Sequence, residues 1–492
     1  MTTSPPPAPT LNTGLKHKAR NTASLLVNDA VTRAVTFVIY MLISRYLGAE
    51  EFGQLSLTLA IFYLLQSLAP AGLKILVMRE VARDRENTNR YFVNGSLVAG
   101  ASSLVALLIL LLFLQVMGYS QDTVNIVLLV SFGIVPFSLS AICEAIFQAW
   151  EQVRFITVAN VPLNLVRGAL AWWLLSRTGS LLPIGYLFLA TYVVTFLMEW
   201  GLYGLFITRP KLEFDPGFAW KLLKSSATFL ALQSVIAVLG SFLLIVISRI
   251  ASEADAGFYN AANQLMAPII LFCQSVAMSL FPTLCRRHDA GLPAFKRFST
   301  QLAEFLNVFT LPSAVGLFIL ADPILLLLYG NPDFLAASVV LRITAWNLIV
   351  KGLTSVLGRM LIASQREKTL FRILLAELVF HIVLGIGLTL WLGLVGASIA
   401  TLLTAMLEIV LHWLPVRKVV GQFNLGAAFW KPLAASLAMA LYLLLALRSG
   451  MHVLLMLLSA AAVYGIFWLA ISAWANGGLR QFKAAFIRQW SE

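Results

Sequence analysis

Charge is scarce in this chain. Asp, Glu, Lys and Arg make up 12% of its 492 residues, about half the share that a soluble domain carries. That shortage excludes a water-soluble globular protein, and the 60% of hydrophobic residues shows what replaces the missing charge. Cysteine is nearly absent too. Cys143, Cys273 and Cys285 stand far apart, in or beside apolar segments, and form no disulfide framework or metal-ligand spacing. No stretch between apolar segments reaches the ~50 residues of a folded domain. Any binding or chemistry must therefore happen inside a helical bundle or at its rims. Acidic residues are outnumbered by basic ones, 22 to 35, for a net charge of +13. The basic residues lie in alternate loops and not in one stripe, so the excess is not a nucleic-acid signature. Residues 1–20 are Pro-rich and then basic, without the apolar core and cleavage site of a secretory signal, and residues 1–23 read as a disordered cytoplasmic tail.

What is present is a series of apolar runs of roughly 20 residues, each able to cross about 30 Å of hydrocarbon as a helix. Only helices and closed barrels satisfy their backbone in lipid, and these runs do not alternate as barrel strands do. The fold class is therefore an all-α polytopic membrane protein with about 14 transmembrane helices. The spans are expected at residues 24–45, 54–77, 92–117, 123–147, 155–176, 182–207, 220–248, 258–282, 298–320, 335–362, 368–391, 394–415, 428–447 and 452–475. With the N-terminus inside, the inner segments hold roughly 25 Lys and Arg and the outer turns about 4, namely Arg45, Arg177, Arg249 and Arg448. Both termini are accordingly expected in the cytoplasm. The expected organisation is an N-lobe over 24–207, a cytoplasmic linker over 208–224, a C-lobe over 220–418, an added helix pair over 427–475 and a tail over 476–492.

The halves look related. RYLGAEEFGQLSL (residues 45–57) returns in altered form as SRIASEADAGFYNAANQL (residues 248–265). If Ser44-Arg45 is laid on Ser248-Arg249 without a gap, Gly53 falls on Gly257 and Arg83 on Arg287. Each copy is an apolar segment ending in Ser-Arg, an acidic turn, a Gly and another apolar segment, as in transporters built from repeats.

These two motifs, with AGLKILVMREVARDRE (residues 71–86) and ADPILLLLYGNPDF (residues 321–334), resemble the polysaccharide flippase family. That family, the polysaccharide transporters and O-antigen flippases, lies in the multidrug/oligosaccharidyl-lipid/polysaccharide exporter superfamily. The resemblance runs over nearly the whole chain in matching order. It implies two six-helix lobes around a central cavity plus a C-terminal helix pair. It also implies movement of a polyprenyl-pyrophosphate-linked glycan from the inner to the outer leaflet of a bacterial plasma (inner) membrane. The further expectations are no catalytic step, no metal or cofactor, and no nucleic-acid partner. The chain is expected to be a monomer beside polysaccharide polymerase and chain-length machinery. Rival readings are a cation-coupled multidrug exporter, whose cavity would be more acidic, and a peptidoglycan-precursor flippase. A membrane glycan polymerase or ligase would need a large outer loop, and the outer loops here are short.

Ionisable groups at membrane depth are costly and mark function by default. In the first span, Asn28 precedes Asp29 and Arg33, which share a helix face and can pair. Arg33 is the type of residue whose planar fork grips phosphate. Lys74 follows Pro70-Ala71-Gly72 and either snorkels or adds a second cation. Arg167 has no acid within a helical turn, so it needs another helix or a ligand. Asn263 and Gln264, with Asn260, fit a wet sugar-binding wall or a helix contact. Lys351 is the deeper of two cations in its span, and Arg359 reaches toward the headgroups. Glu377 and His381 form a further pair at helical spacing, a candidate for proton coupling or for packing. Glu144, Glu199, Glu304 and Glu408 lie nearer the span ends and carry less of this reading. Pro70, Pro136, Pro162, Pro268 and Pro312 each remove a helix hydrogen bond and can bend their helices, as in a transporter whose lobes rock.

Overall fold

The computed structural model of the protein describes residues 11–421, 425–478 and 481, with side chains from residue 24 onward except 25, 26, 425 and 427. Most of the expected N-terminal tail's side chains, and Arg480, Lys483 and Arg488 of the C-terminal one, lie outside the described residues. Among the described residues, 12 helices are long and apolar enough to cross a membrane, or 13 with one bent pair taken as a span. The chain divides into two compact units between Ser241 and Phe242.

The first unit contains α1 (Leu11–Tyr46), α2 (Ala49–Leu68), α3 (Leu73–Arg83), α4 (Thr88–Met117), α5 (Gln121–Ser131), α6 (Ile134–Ala149), α7 (Arg154–Thr178), α8 (Leu182–Phe206) and the first part of α9 (Pro216–Ile250). Helix α1 begins at Leu11, ahead of the span expected from residue 24. Two expected spans are each a pair of helices. At Pro70-Ala71-Gly72 the chain takes a left-handed turn, with φ of 51° at Ala71 and 71° at Gly72. A Cβ on Gly72 would lie 2.6 Å from Leu230 N and 2.7 Å from Ser226 O, so only glycine lets α9 press this close. At Gly133 a Cβ would lie 2.6 Å from the Tyr192 ring, and Pro136 sits in the first turn of α6, where its missing N–H costs no helix bond.

The core of this unit gathers Leu76, Val77, Val81, Ile142, Ile146 and Phe147, with Phe92 stacked on Tyr203 at 3.8 Å between ring centroids. In lipid such packing rests on dispersion and close fit more than on expelling water. A polar strap closes the N-terminal end of α9. Asn89 brackets the peptide of Lys211, donating to its O at 2.8 Å and accepting from its N at 3.0 Å. Asn94 donates to Glu213 O at 2.9 Å and accepts from Asp215 N at 2.9 Å. Asp215 then caps α9 through Phe218 N at 3.0 Å and meets Arg90 at 2.6 Å. Arg90 also lies over the Phe218 ring. Those bonds hold the Asp215 carboxyl below its usual range, the Phe218 N–H first and the Arg90 guanidinium next.

The second unit continues α9 and adds α10 (Glu253–Ser279), α11 (Phe281–Asp289), α12 (Leu292–Ile319), α13 (Ala321–Tyr329), α14 (Ala337–Thr344), α15 (Asn347–Ala363), α16 (Glu367–Val420), α17 (Leu425–Arg448) and α18 (Val453–Ala475). A short 3-10 turn, Pro332–Ala336, leads into α14. The run from that turn through α14 meets α15 at a 43° bend. The 54 residues of α16 would reach about 80 Å if straight, far beyond a bilayer. They reverse at Gly393, whose φ of 57° and ψ of −134° are not helical. A Cβ on Gly396 would lie 1.9 Å from Leu388 O, and His381 Nδ1 meets Thr404 Oγ1 at 3.2 Å. The two arms therefore run side by side, and they correspond to the two spans expected at 368–391 and 394–415.

The repeated motif has matching local structure in both units. Ser44 and Ser248 each donate to the carbonyl three residues back, at 2.8 Å. Gly53 and Gly257 are both buried early in the next helix. Arg83 and Arg287 both lie at the end of a short helix, α3 and α11. The last two helices pack on the second unit. Leu320 and Ile324 meet Ala435, Met439, Leu443 and Met456, and Lys431 binds Glu304 at 2.8 Å.

Candidate functional site

In the first unit, the turn at Gly72 aims the first turn of α3 at α6. Lys74 Nζ lies 2.5 Å from Glu144 Oε2, with the two side chains 41% and 19% exposed. Behind them Glu199 on α8 is 0% exposed. Its Oε1 accepts from Asn160 Nδ2 at 3.3 Å, while its Oε2 has no hydrogen-bond partner. One ammonium thus pairs with Glu144 and feels Glu199 from beyond ion-pair distance, with exposure falling from the lysine inward.

Arg167 on α7 is buried, 4% exposed. Its guanidinium donates to Thr36 Oγ1 at 3.2 Å and lies over the Phe188 ring at 4.7 Å. Its Nε has no partner, and among the described residues it forms no ion pair. It belongs to a polar seam between α1 and α7 that includes Asn164 on Thr32 at 3.2 Å and Thr157 on Ser24 O at 3.2 Å. The same face brings Gly168 against Val35. Asn28 is half-buried, and its Oδ1 is enclosed without a partner.

The expected Asp29–Arg33 pair is not formed. Both residues are exposed, and among the described residues neither makes an ion pair. Helical spacing brings two residues to one face, but an exposed pair gains too little to hold two mobile side chains together.

In the second unit, Lys351 on α15 faces both arms of α16. Its Nζ lies 2.6 Å from Glu408 and 4.0 Å from Glu377. The lysine side chain is 36% exposed, and the carboxylates are nearly covered. The Glu377–His381 pair expected from spacing is replaced. Glu377 turns to Lys351, and His381 turns to Thr404 on the opposite arm. Packing of α15 on α16 brings Lys351 to Glu377, and the hairpin at Gly393 brings Thr404 to His381. His412 Nδ1 lies 2.9 Å from Glu408 O. Arg359 is half-buried, with its guanidinium over Phe281 at 5.8 Å.

Asn263 and Gln264 on α10 are half-buried. Asn263 lies beside Tyr259 on α10, whose hydroxyl meets Thr401 at 2.8 Å.

The structure therefore gathers Lys74 into one cluster and Lys351 with Glu377 and His381 into another, while Arg33, Asn28 and Arg167 stand apart from both and Asp29 acts on Lys74 without an ion pair. Glu144, Glu199 and Glu408 are the residues that sequence reasoning underrated. The signal for them was present: a lysine within an apolar run, with no acid at helical spacing, requires a carboxylate from another helix.

Residues 19–288 match the model of a family described as polysaccharide biosynthesis protein. The chain is similar to the probable low-salt glycan biosynthesis flippase Agl15 of Haloferax volcanii, 24% identical over 80% of this chain and 82% of that one. It is similar to the probable flippase AglR of the same organism, 24% identical over 89% of this chain and 92% of the relative. Its fold matches that of the lipid II flippase MurJ in an inward closed conformation, with a TM-score of 0.74 over 90% of this chain and 97% of that one, at 19% identity.

Proposed function

Because the chain belongs to the polysaccharide biosynthesis protein family, we propose that it is a flippase. It carries a polyprenyl-pyrophosphate-linked oligosaccharide from the cytoplasmic to the outer leaflet of a bacterial inner membrane, by alternating access, for surface polysaccharide synthesis. It is a transporter and needs no covalent step.

The observation that carries the reading is the way each unit displays one lysine. Lys74 and Lys351 are 41% and 36% exposed, while the carboxylates that hold them are largely covered. A lysine side chain presented in this way can turn its ammonium from a carboxylate to a phosphate oxygen in a charge-assisted bond. Arg33 adds an exposed guanidinium on α1, and Arg167 adds a buried one that no carboxylate satisfies. Four cations favour an anionic headgroup over the cationic cargo of a multidrug exporter. Moving that headgroup through hydrocarbon alone would cost far more than passing it along polar side chains. The half-buried amides Asn263 and Gln264, with Asn28, are assigned to the glycan side.

The test is flipping of a fluorescent lipid-linked oligosaccharide in liposomes containing the purified protein. Arg33→Ala and Lys351→Ala, each folded normally, are expected to slow flipping at least tenfold. Full activity in both variants removes the assignment of the cations.

A further inference from the structure

Two clusters of the same composition stand in the two units. Each has one lysine and two glutamates drawn from different helices. In the first, Lys74 on α3 is held by Glu144 on α6, with Glu199 on α8 behind. In the second, Lys351 on α15 lies between Glu408 and Glu377 on the two arms of α16. One ammonium cannot neutralise two carboxylates. An ionised carboxylate left unpaired at such depth costs several kcal/mol, so the second carboxyl is driven to hold a proton.

Among the described residues, no other cation forms an ion pair with these glutamates. Around the first cluster, α6 presents Cys143 near both Glu144 and Glu199, and α8 presents Tyr203 near Cys143. Helix α7 contributes the neutral Asn160, and α1 contributes Asp29, a further negative charge. Around the second, α16 presents His381 and His412, bound to Thr404 and to Glu408 O. Tyr259 of α10 is engaged by Thr401, and Glu304 of α12 by Lys431.

We propose that each cluster is a proton site linked to anion binding: when a diphosphate draws the lysine ammonium away, the abandoned glutamate takes a proton from solvent. The exposure gradient supports this order of events. Lysine is the outermost member and the one an anion reaches first, whereas Glu144, Glu377 and Glu408 are the more covered members. The step balances. The lysine keeps its three protons and exchanges a carboxylate oxygen for a phosphate oxygen. Water or buffer gives one proton to the freed carboxylate. Anion affinity therefore rises as pH falls. The inference rests on the anionic-headgroup reading above and adds its stoichiometry with protons.

The test is calorimetric titration of the full chain in nanodiscs with farnesyl diphosphate at pH 8, where the probe is fully ionised. Buffers of low and high ionisation heat report the protons exchanged. The expected result is uptake approaching one proton per bound diphosphate. In the Glu144→Gln, Glu199→Gln, Glu377→Gln, Glu408→Gln variant the uptake is expected to vanish. Binding is expected to tighten by roughly threefold to tenfold, because neither lysine is still held by a charge. A merely structural role would weaken binding instead. The Glu144→Asp, Glu408→Asp variant keeps the uptake and guards against misfolding as the cause. Binding without uptake, or uptake unchanged in the Gln variant, overturns the linkage and leaves the substrate reading standing. No binding of the probe overturns both.

Discussion

Replacing Gly72 by Ala is expected to damage the first unit out of proportion to the methyl group added. Two costs combine. Gly72 has φ of +71°, where a Cβ costs about 1–2 kcal/mol. The same Cβ would also press on Leu230 N at 2.6 Å and Ser226 O at 2.7 Å. These are backbone atoms within α9, which cannot rotate aside, and overpacking of that kind costs about 1–3 kcal/mol. The sum is about 2–5 kcal/mol, or a fall of roughly 5–15 °C in melting temperature for a unit of this size. The loss should also reach function, since the turn aims Lys74 at Glu144. The assay is thermal unfolding of the purified protein followed by intrinsic tryptophan fluorescence, beside flipping in liposomes. Gly201→Ala is the control. No atom lies within 4 Å of its added Cβ, so it should be neutral or stabilise by up to about 1 kcal/mol. Equal melting of wild type and Gly72→Ala, with flipping intact, would refute the close approach of α9.

Arg167→Met should leave stability within about 1 kcal/mol of wild type, because it removes a buried charge along with the bond to Thr36. It should also weaken farnesyl diphosphate binding several-fold, as seen by calorimetry; a melting loss above about 3 kcal/mol with unchanged binding would make Arg167 purely structural. Asp215 gives a pH prediction. Its carboxyl is held below the usual value of 3.8, so its contribution is full above that value and is lost as pH falls through the folded one. Asp215→Asn keeps an acceptor for the cap but should abolish this component of acid destabilisation, read from melting curves between pH 7 and pH 3. Lys431→Ala leaves Glu304 unpaired where it is about three-quarters covered. It should cost about 1–2 kcal/mol, and the Glu304→Met, Lys431→Met double variant should recover most of that loss in a double-mutant cycle.

Much of the fold was legible because membrane spans announce themselves in composition. The break at Gly393 falls between the two spans read from hydropathy, and the Ser-Arg repeat marks the same local structure in both units. Pro70 and Pro136 pointed to bends beside Gly72 and Gly133, but the full breaks there were not legible. Hydropathy is continuous across them, and what demands glycine is the distant backbone of α9 and the ring of Tyr192. The clusters were half legible. Lysine in an apolar run stood out, but Glu144 is far along the chain from Lys74, and Glu408 from Lys351. Local spacing offered Arg33 for Asp29 and His381 for Glu377. The folded chain takes neither, because an exposed pair is weakly held and because α15 supplies Lys351 to Glu377 while the hairpin supplies Thr404 to His381.

The central claim is that this chain moves an anionic lipid-linked headgroup. The most direct measurement places the wild-type protein in liposomes and follows two cargoes side by side, a fluorescent polyprenyl-pyrophosphate oligosaccharide and a lipophilic cationic dye. Protein-dependent arrival of the glycolipid headgroup at the opposite leaflet, with no movement of the dye, is the predicted result. Transport of the dye with the glycolipid left in its original leaflet would contradict the account.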